Sequence, residues 1–168
     1  MSIRIACRRA ERTPGVEPLQ AIEQLDAVKL LKTSYFAYPV VNAVHIAAIG
    51  ALLTSVALMD LRILGAFRAL PERPFVALLR RLAFSAFALA VLSGLVLFSV
   101  RASYYAQMPV FLAKMALIVL AGANFAVFAA VDKGRGANGR RVASRALAAI
   151  SVMLWSAVLL CGRFIGFQ

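Results

Sequence analysis

The only histidine of the chain, His45, lies inside a long apolar stretch and is the residue best suited to bind a ligand. The stretch covers residues 34–65. Within it, Tyr38, Asn42 and His45 follow each other at spacings of four and three, which places their side chains on one face of a helix. Neutral imidazole is the usual axial ligand of haem. The sequence therefore predicts a cofactor-binding face around His45, Tyr38 and Asn42.

Residues of two later apolar stretches lie at a similar depth from the same end of the predicted bundle. Lys114 and Met115 come early in the third stretch, and Cys161 and Arg163 come late in the fourth. Imidazole, thioether and thiolate together suit copper, so His45, Met115 and Cys161 form a candidate metal set. Lys114 and Arg163 are candidate partners for an anion such as a haem propionate or a lipid phosphate. Alternatively, these two side chains extend towards the membrane surface.

The composition is that of a membrane protein. Of the 168 residues, 62% are hydrophobic, against about 45–50% in soluble domains, and the mean hydropathy is +0.84. The net charge of +12 comes largely from basic residues between the apolar stretches, where Lys and Arg gather on the cytoplasmic side and bind anionic lipids. No aromatic stacking motif accompanies them. We therefore expect the lipid bilayer and its anionic lipids as partners, and no nucleic acid.

The apolar segments predict an all-α fold, a four-helix transmembrane bundle preceded by an amphipathic interfacial helix. The interfacial helix is predicted over residues 17–32, after a basic, disordered tail over residues 1–16. Residues 17–168 are predicted to form a single membrane domain. Its four membrane helices are predicted at about residues 39–59, 82–100, 110–131 and 143–167.

Basic residues set the predicted orientation. The loop between the first two membrane helices and the loop between the last two are rich in arginine and lysine, whereas the middle connection contains only Arg101. Because basic loops stay in the cytoplasm, both are predicted to be cytoplasmic and both termini to lie outside. Arginines in residues 1–16 favour the opposite orientation, but two loops next to the helices outweigh a distant tail.

Other polar and small residues predict structural roles. Asp60 lies close to Arg62 at the cytoplasmic end of the first helix, which predicts an interfacial ion pair or a helix-end contact. Asn124 predicts a hydrogen bond between helices. A stripe of small residues in the second helix predicts a close approach by another helix: Ala86, Ala90 and Gly94. The sequence shows no Ser–His–acid arrangement, and its glycine-rich loop joins two membrane helices, so neither hydrolytic nor nucleotide-binding chemistry is predicted.

Three stretches resemble an uncharacterised family of small bacterial four-helix integral membrane proteins. They read YPVVNAVHIAAIGALLTSVALMDLRILG, LSGLVLFSV and MPVFLAKMALIVLAGANFAVF. The family pattern is YP…H…G…DLR-LG in the first helix, G-L-x-LF in the second and F-x-x-K…AG-x-N in the third. The matching positions are Tyr38, Pro39, His45, Gly50, Asp60, Arg62, Gly65, Gly94, Phe98, Lys114, Gly122 and Asn124.

The resemblance implies a membrane bundle located in the bacterial inner membrane. Members of the family often carry a histidine near the end of the third helix, where this chain reads Phe128-Ala129-Ala130. One possible second ligand is therefore missing here. The architecture is also similar to that of the copper-resistance D proteins and of four-helix b-type cytochromes, as an analogy of fold.

Three functions are compatible with these features. The sharpest is a haem-b-binding or redox membrane subunit that uses His45, in which two protomers of a homodimer could share one haem. The second is the handling or transport of copper or another small solute across the membrane. The third is an accessory or scaffold subunit of a larger membrane complex, with no cofactor. The residues favour a non-enzymatic role in each case.

Overall fold

The computed structural model describes residues 17–134 and 137–165, and these ranges contain seven α-helices and no strand. Two short helices come first, α1 (Glu17–Glu23) and α2 (Asp26–Thr33). The remaining helices are α3 (Ala37–Leu64), α4 (Glu72–Val100), α5 (Ala102–Gln107), α6 (Pro109–Gly134) and α7 (Ala137–Ile165). The tail predicted over residues 1–16 lies outside the described residues.

Four of these helices, α3, α4, α6 and α7, are long and apolar enough to cross a membrane. α3 has 28 residues and α4 has 29, whereas about 20 residues cross a bilayer core of about 30 Å. Large apolar side chains on their outer faces are exposed, Leu92 by 63% and Val119 by 71%. Lipid solvates such side chains, and water does not. The predicted all-α four-helix bundle is confirmed, and its helices are compatible with an integral membrane protein.

The helices extend beyond the apolar segments from which they were predicted. α4 begins at Glu72, before the predicted start, because Pro71 precedes the helix and Pro74 lies in its first turn. A backbone N–H has no helical partner in that turn, so proline costs nothing there. α6 likewise begins at Pro109. The predicted interfacial helix is divided in two, because the backbone is extended at Leu25.

The four long helices pack in the order α4–α3–α7–α6. Side chains of α3 and α4 form the core of the first interface, a cluster of Leu52, Val56, Ala83 and Ala86. Ala90, one turn after Ala86, is also buried. The close approach predicted from the small residues of the second membrane helix is therefore confirmed.

A gap separates α4 from α6. Among the described residues, no Cα atom of α4 lies within 8 Å of one in α6. Aromatic side chains bridge the gap in two places. The rings of Phe84 and Phe125 meet edge to face at 5.4 Å, and those of Phe98 and Phe111 stack at 5.5 Å. Contacts between α4 and α6 are therefore made by long side chains and not by closely packed helix backbones.

Hydrogen bonds to Glu23 hold the short helices against one end of the bundle. The backbone N–H and the hydroxyl of Ser103 donate to Glu23 Oε1 at 2.8 and 2.6 Å. Lys32 Nζ lies 3.9 Å from the other carboxylate oxygen. The hydroxyl bond above all, then the backbone bond, lowers the pKa of Glu23 below its ordinary value. α1 is thereby tied to α5 at neutral pH.

Candidate functional site

At the end of the bundle next to α5, His45 of α3 contacts two consecutive residues of α4. His45 Nδ1 lies 2.9 Å from Ser93 Oγ. A Cβ atom added at Gly94 would lie 3.0 Å from His45 Cε1, closer than such atoms ordinarily approach. Ser93 is buried and His45 is half-buried. The imidazole ring is therefore held against α4 by hydrogen bonds to Ser93 and to the backbone of Ala90, and by the absence of a side chain at Gly94.

The hydrogen bonds of Ser93 indicate which nitrogen of His45 carries the proton. Ser93 Oγ lies 2.6 Å from the carbonyl oxygen of Leu89. A carbonyl oxygen only accepts, so the hydroxyl donates its single proton to Leu89. Ser93 Oγ then accepts from His45 Nδ1–H, and His45 Nε2 keeps a lone pair. This is the tautomer in which a histidine binds a metal through Nε2 while its other nitrogen is held by a second residue.

Two further predicted site residues converge on this end of the bundle. Lys114 of α6 lies close enough to both His45 and Cys161 to interact with them electrostatically. Its Nζ would lie 3.7 Å from a Cβ atom at Gly162, so the side chain runs along the final turns of α7. The described residues contain no group of three or more His, Cys, Asp or Glu side chains arranged to hold a metal ion.

The remaining predicted site residues are less enclosed. Asn42 is half-buried, one helical turn before His45, and Tyr38 is 38% exposed. The side chains of Met115 and Arg163 are exposed. A haem contact by Tyr38, Asn42 or Arg163, and copper binding by His45, Met115 and Cys161, stay predictions.

A cavity of about 170 Å³ lies in the other half of the bundle, towards the α3–α4 loop. Its walls are mainly apolar and aromatic, and all four long helices contribute to them. The aromatic lining residues are Phe84, Phe87, Phe125, Phe128 and Trp155. Asp60, Arg80, Asn124 and Ser151 are the polar ones. Such a combination, apolar walls with a few polar groups, is typical of small-molecule sites.

Asp60 is the most unusual residue in this wall. It is only 7% exposed, and its Oδ2 atom has no hydrogen-bond partner among the described residues. Ser151 of α7 hydrogen-bonds to the same carboxylate. A buried polar atom without a partner is costly, so it indicates a functional constraint or a missing partner.

The ion pair predicted between Asp60 and Arg62 is not formed. Arg62 Nη1 lies 3.5 Å from a carboxylate oxygen of Glu72, and Arg62 Nη2 donates to the carbonyl oxygen of Leu70 at 3.0 Å. Residues two apart in a helix point to different sides, which explains the separation. Asp60 therefore faces the cavity, and Arg62 faces the loop that follows α3.

Asn124 has the role predicted for it. Its side-chain amide donates to the carbonyl oxygen of Leu147 at 3.1 Å and so joins α6 to α7. Sequence reasoning missed Ser93, Ser151 and Trp155, which stand far from His45 and Asp60 in the chain. Gly94, which contacts His45 beside Ser93, did carry a signal in the sequence, because it belongs to the stripe of small residues.

Comparison with known proteins gives no indication of function, so a functional proposal depends on the geometry described above. No family model, curated protein or solved structure matches the chain. Membership of the family of small bacterial membrane proteins that the sequence resembles stays a prediction.

Proposed function

We propose that this protein is a multi-pass membrane protein that binds a small solute in the cavity between its four long helices. The observation that carries the proposal is the cavity of about 170 Å³ with a buried, incompletely hydrogen-bonded carboxylate in its wall. An apolar protein cavity of about 150 Å³ holds benzene. A solute with one aromatic ring and a few further heavy atoms is therefore the size that fits.

The gap between α4 and α6 supports a route into this cavity. Phe84 and Phe125, which bridge the gap beside the cavity, are exposed by 55% and 39%. Side-chain rotation moves such rings without separating packed helices, so a solute dissolved in lipid would meet a small barrier. The protein would accordingly take up solutes from the membrane as well as from water.

Bromobenzene tests the proposal because Trp155 is the only tryptophan of the chain and lines the cavity. Its bromine quenches indole fluorescence on contact. We expect saturable quenching in the purified protein, with the saturation independent of detergent concentration once partition into micelles is corrected for. Quenching that only rises in proportion to bromobenzene in the micelle would contradict the proposal.

A matched control moves the indole out of the cavity. The double variant Trp155→Phe/Met153→Trp places the single tryptophan two positions earlier on α7, at a site that is 73% exposed. It should show proportional quenching alone. Equal saturable quenching in both proteins would mean that bromobenzene binds elsewhere.

Haem b binding at His45 is a second candidate, favoured by the lone pair that Ser93 leaves on His45 Nε2. Lys114 would offer a positive charge to a propionate, and a bound haem would supply one-electron chemistry. The chain supplies one histidine, so a symmetric pair of protomers would be needed for two axial imidazoles.

The absorption spectrum of protein purified with added haem tests this second candidate. A Soret band is expected that disappears in His45→Ala and keeps its intensity in Asn124→Ala, which alters a helix contact far from His45. Absence of a Soret band in the wild-type protein would exclude the candidate.

A further inference from the structure

We infer that the cavity selects a small aromatic or apolar ammonium cation, with Asp60 as the residue that binds its charge. This inference rests on the proposed solute-binding function and specifies the chemical class of the solute. Its starting point is the juxtaposition of one buried carboxylate with several aromatic rings in the same small cavity.

The Oδ2 atom of Asp60 is the atom of the cavity wall best suited to bind a positively charged group. Ser151 supplies one hydrogen bond to the carboxylate, and Oδ2 has none. The ion pairs formed among the described residues do not include Asp60. Arg62, its nearest basic neighbour in the sequence, pairs with Glu72 instead. Charge-assisted hydrogen bonds are stronger than neutral ones, and surroundings of low polarity strengthen them further. A ligand cation would therefore bind most strongly at this oxygen.

The aromatic walls suit the rest of such a ligand. Phe87 and Trp155 pack against the core cluster and line the cavity together with Phe84 and Phe125. Ring faces attract ammonium groups, and indole attracts them most strongly. An aromatic or branched apolar substituent would fill the cavity and make dispersion contacts with the side chains that line it.

Arg80 is the residue of the cavity wall that would favour an anionic ligand. It lines the same cavity, yet its guanidinium carbon lies 6.0 Å from the centre of the Phe125 ring, so the cation already has a ring partner. Arg80 is also only half-buried, and a long side chain can turn its charge towards the membrane surface. Asp60 is short and 7% exposed, and it has no such freedom. The geometry thus favours a cation over an anion.

Benzyldimethylammonium is the probe for this inference, since its single ring suits the volume of the cavity and its N–H can donate to Asp60 Oδ2. Isothermal titration of the purified full-length protein should show binding that weakens about tenfold or more in Asp60→Asn. Isobutylbenzene, the neutral isostere with carbon in place of nitrogen, should bind equally to both proteins when measured by its displacement of bromobenzene.

Glu72→Gln is the matched control for the loss of one negative charge. Glu72 lies at the same end of the bundle, its side chain is 60% exposed, and it does not line the cavity. Its replacement should leave the affinity for benzyldimethylammonium within about twofold at physiological salt. Circular dichroism of each variant checks that the helices are intact. Should Asp60→Asn fail to fold, Arg80→Gln gives the second measurement, and binding of the cation should then be unchanged or tighter.

The outcomes separate this inference from the proposed function. Saturable bromobenzene quenching without binding of the cation, or cation binding that Asp60→Asn leaves intact, would overturn the ammonium inference alone. Tighter binding of phenylacetate than of the cation, lost in Arg80→Gln, would also overturn it. If neither bromobenzene nor the cation binds, the proposed function and the inference both fail.

Discussion

Gly94→Val is expected to lower the free energy of unfolding by about 2–3 kcal/mol, the range that overpacking of a close interface produces. A Cβ atom at Gly94 would lie 3.0 Å from His45 Cε1. Valine adds two further methyl groups beside the ring, on a helix whose neighbouring residues Ala86 and Ala90 are buried. Either the imidazole ring must leave Ser93 or α3 and α4 must move apart. Unfolding in a denaturing-detergent titration, followed by helical circular dichroism, measures the change.

Gly50→Val is the control for adding the same side chain to a membrane helix. A Cβ atom at Gly50, which lies on α3 with His45, would meet no atom within 4 Å. Its replacement should change the free energy of unfolding by less than about 1 kcal/mol, because only helix propensity is involved. If Gly94→Val is as mild as Gly50→Val, the steric contact with His45 is not a real constraint.

The double variant Gly94→Val/His45→Ala identifies the source of the strain. Removing the imidazole makes room for the valine, so the two substitutions should not be additive, and the coupling should exceed about 0.5 kcal/mol. Additive effects would place the strain in the contact between helix backbones instead.

Much of the fold was predictable because its determinants are local. Each of the four long helices contains an apolar run long enough to cross a bilayer, and such a run is visible in the sequence without knowledge of any other helix. The start of α4 was not predicted, because the helix begins at Glu72, well before the apolar run that indicated it. The residues before that run are polar or proline, and Pro74 lies in the first helical turn, where a proline is tolerated.

The contacts of the candidate sites were less predictable because they depend on how helices rotate against one another. His45 could be identified as a rare ionisable residue in an apolar run. Its partner Ser93 is 48 residues away, and no spacing rule connects them. For Asp60 the sequence did contain a usable signal. Positions two apart on a helix diverge, so Asp60 and Arg62 could not share one environment.

Asp60→Asn is expected to raise the free energy of unfolding by about 1–2 kcal/mol, because an incompletely hydrogen-bonded buried group costs more when it is charged than when it is neutral. The amide is nearly the same shape as the carboxylate, so packing is kept, and its oxygen can still accept from Ser151. The substitution removes a buried charge that has too few hydrogen-bond partners. Unfolding in the same detergent titration, with no ligand present, measures the change.

Ser151→Ala should lower the free energy of unfolding, whereas Asp60→Asn should raise it. Measuring both variants is a stronger test than measuring Asp60→Asn alone. Loss of the hydroxyl removes a hydrogen bond from the Asp60 carboxylate and leaves both oxygens poorly satisfied, at a cost of about 1–3 kcal/mol. In the Asp60→Asn background the same substitution should cost less, because a neutral amide needs the hydroxyl less than a carboxylate does. A carboxylate kept for structural reasons would instead make Asp60→Asn destabilising. A carboxylate that lowers the stability of the empty protein, and whose loss weakens binding of an ammonium ion, is a residue retained for its ligand.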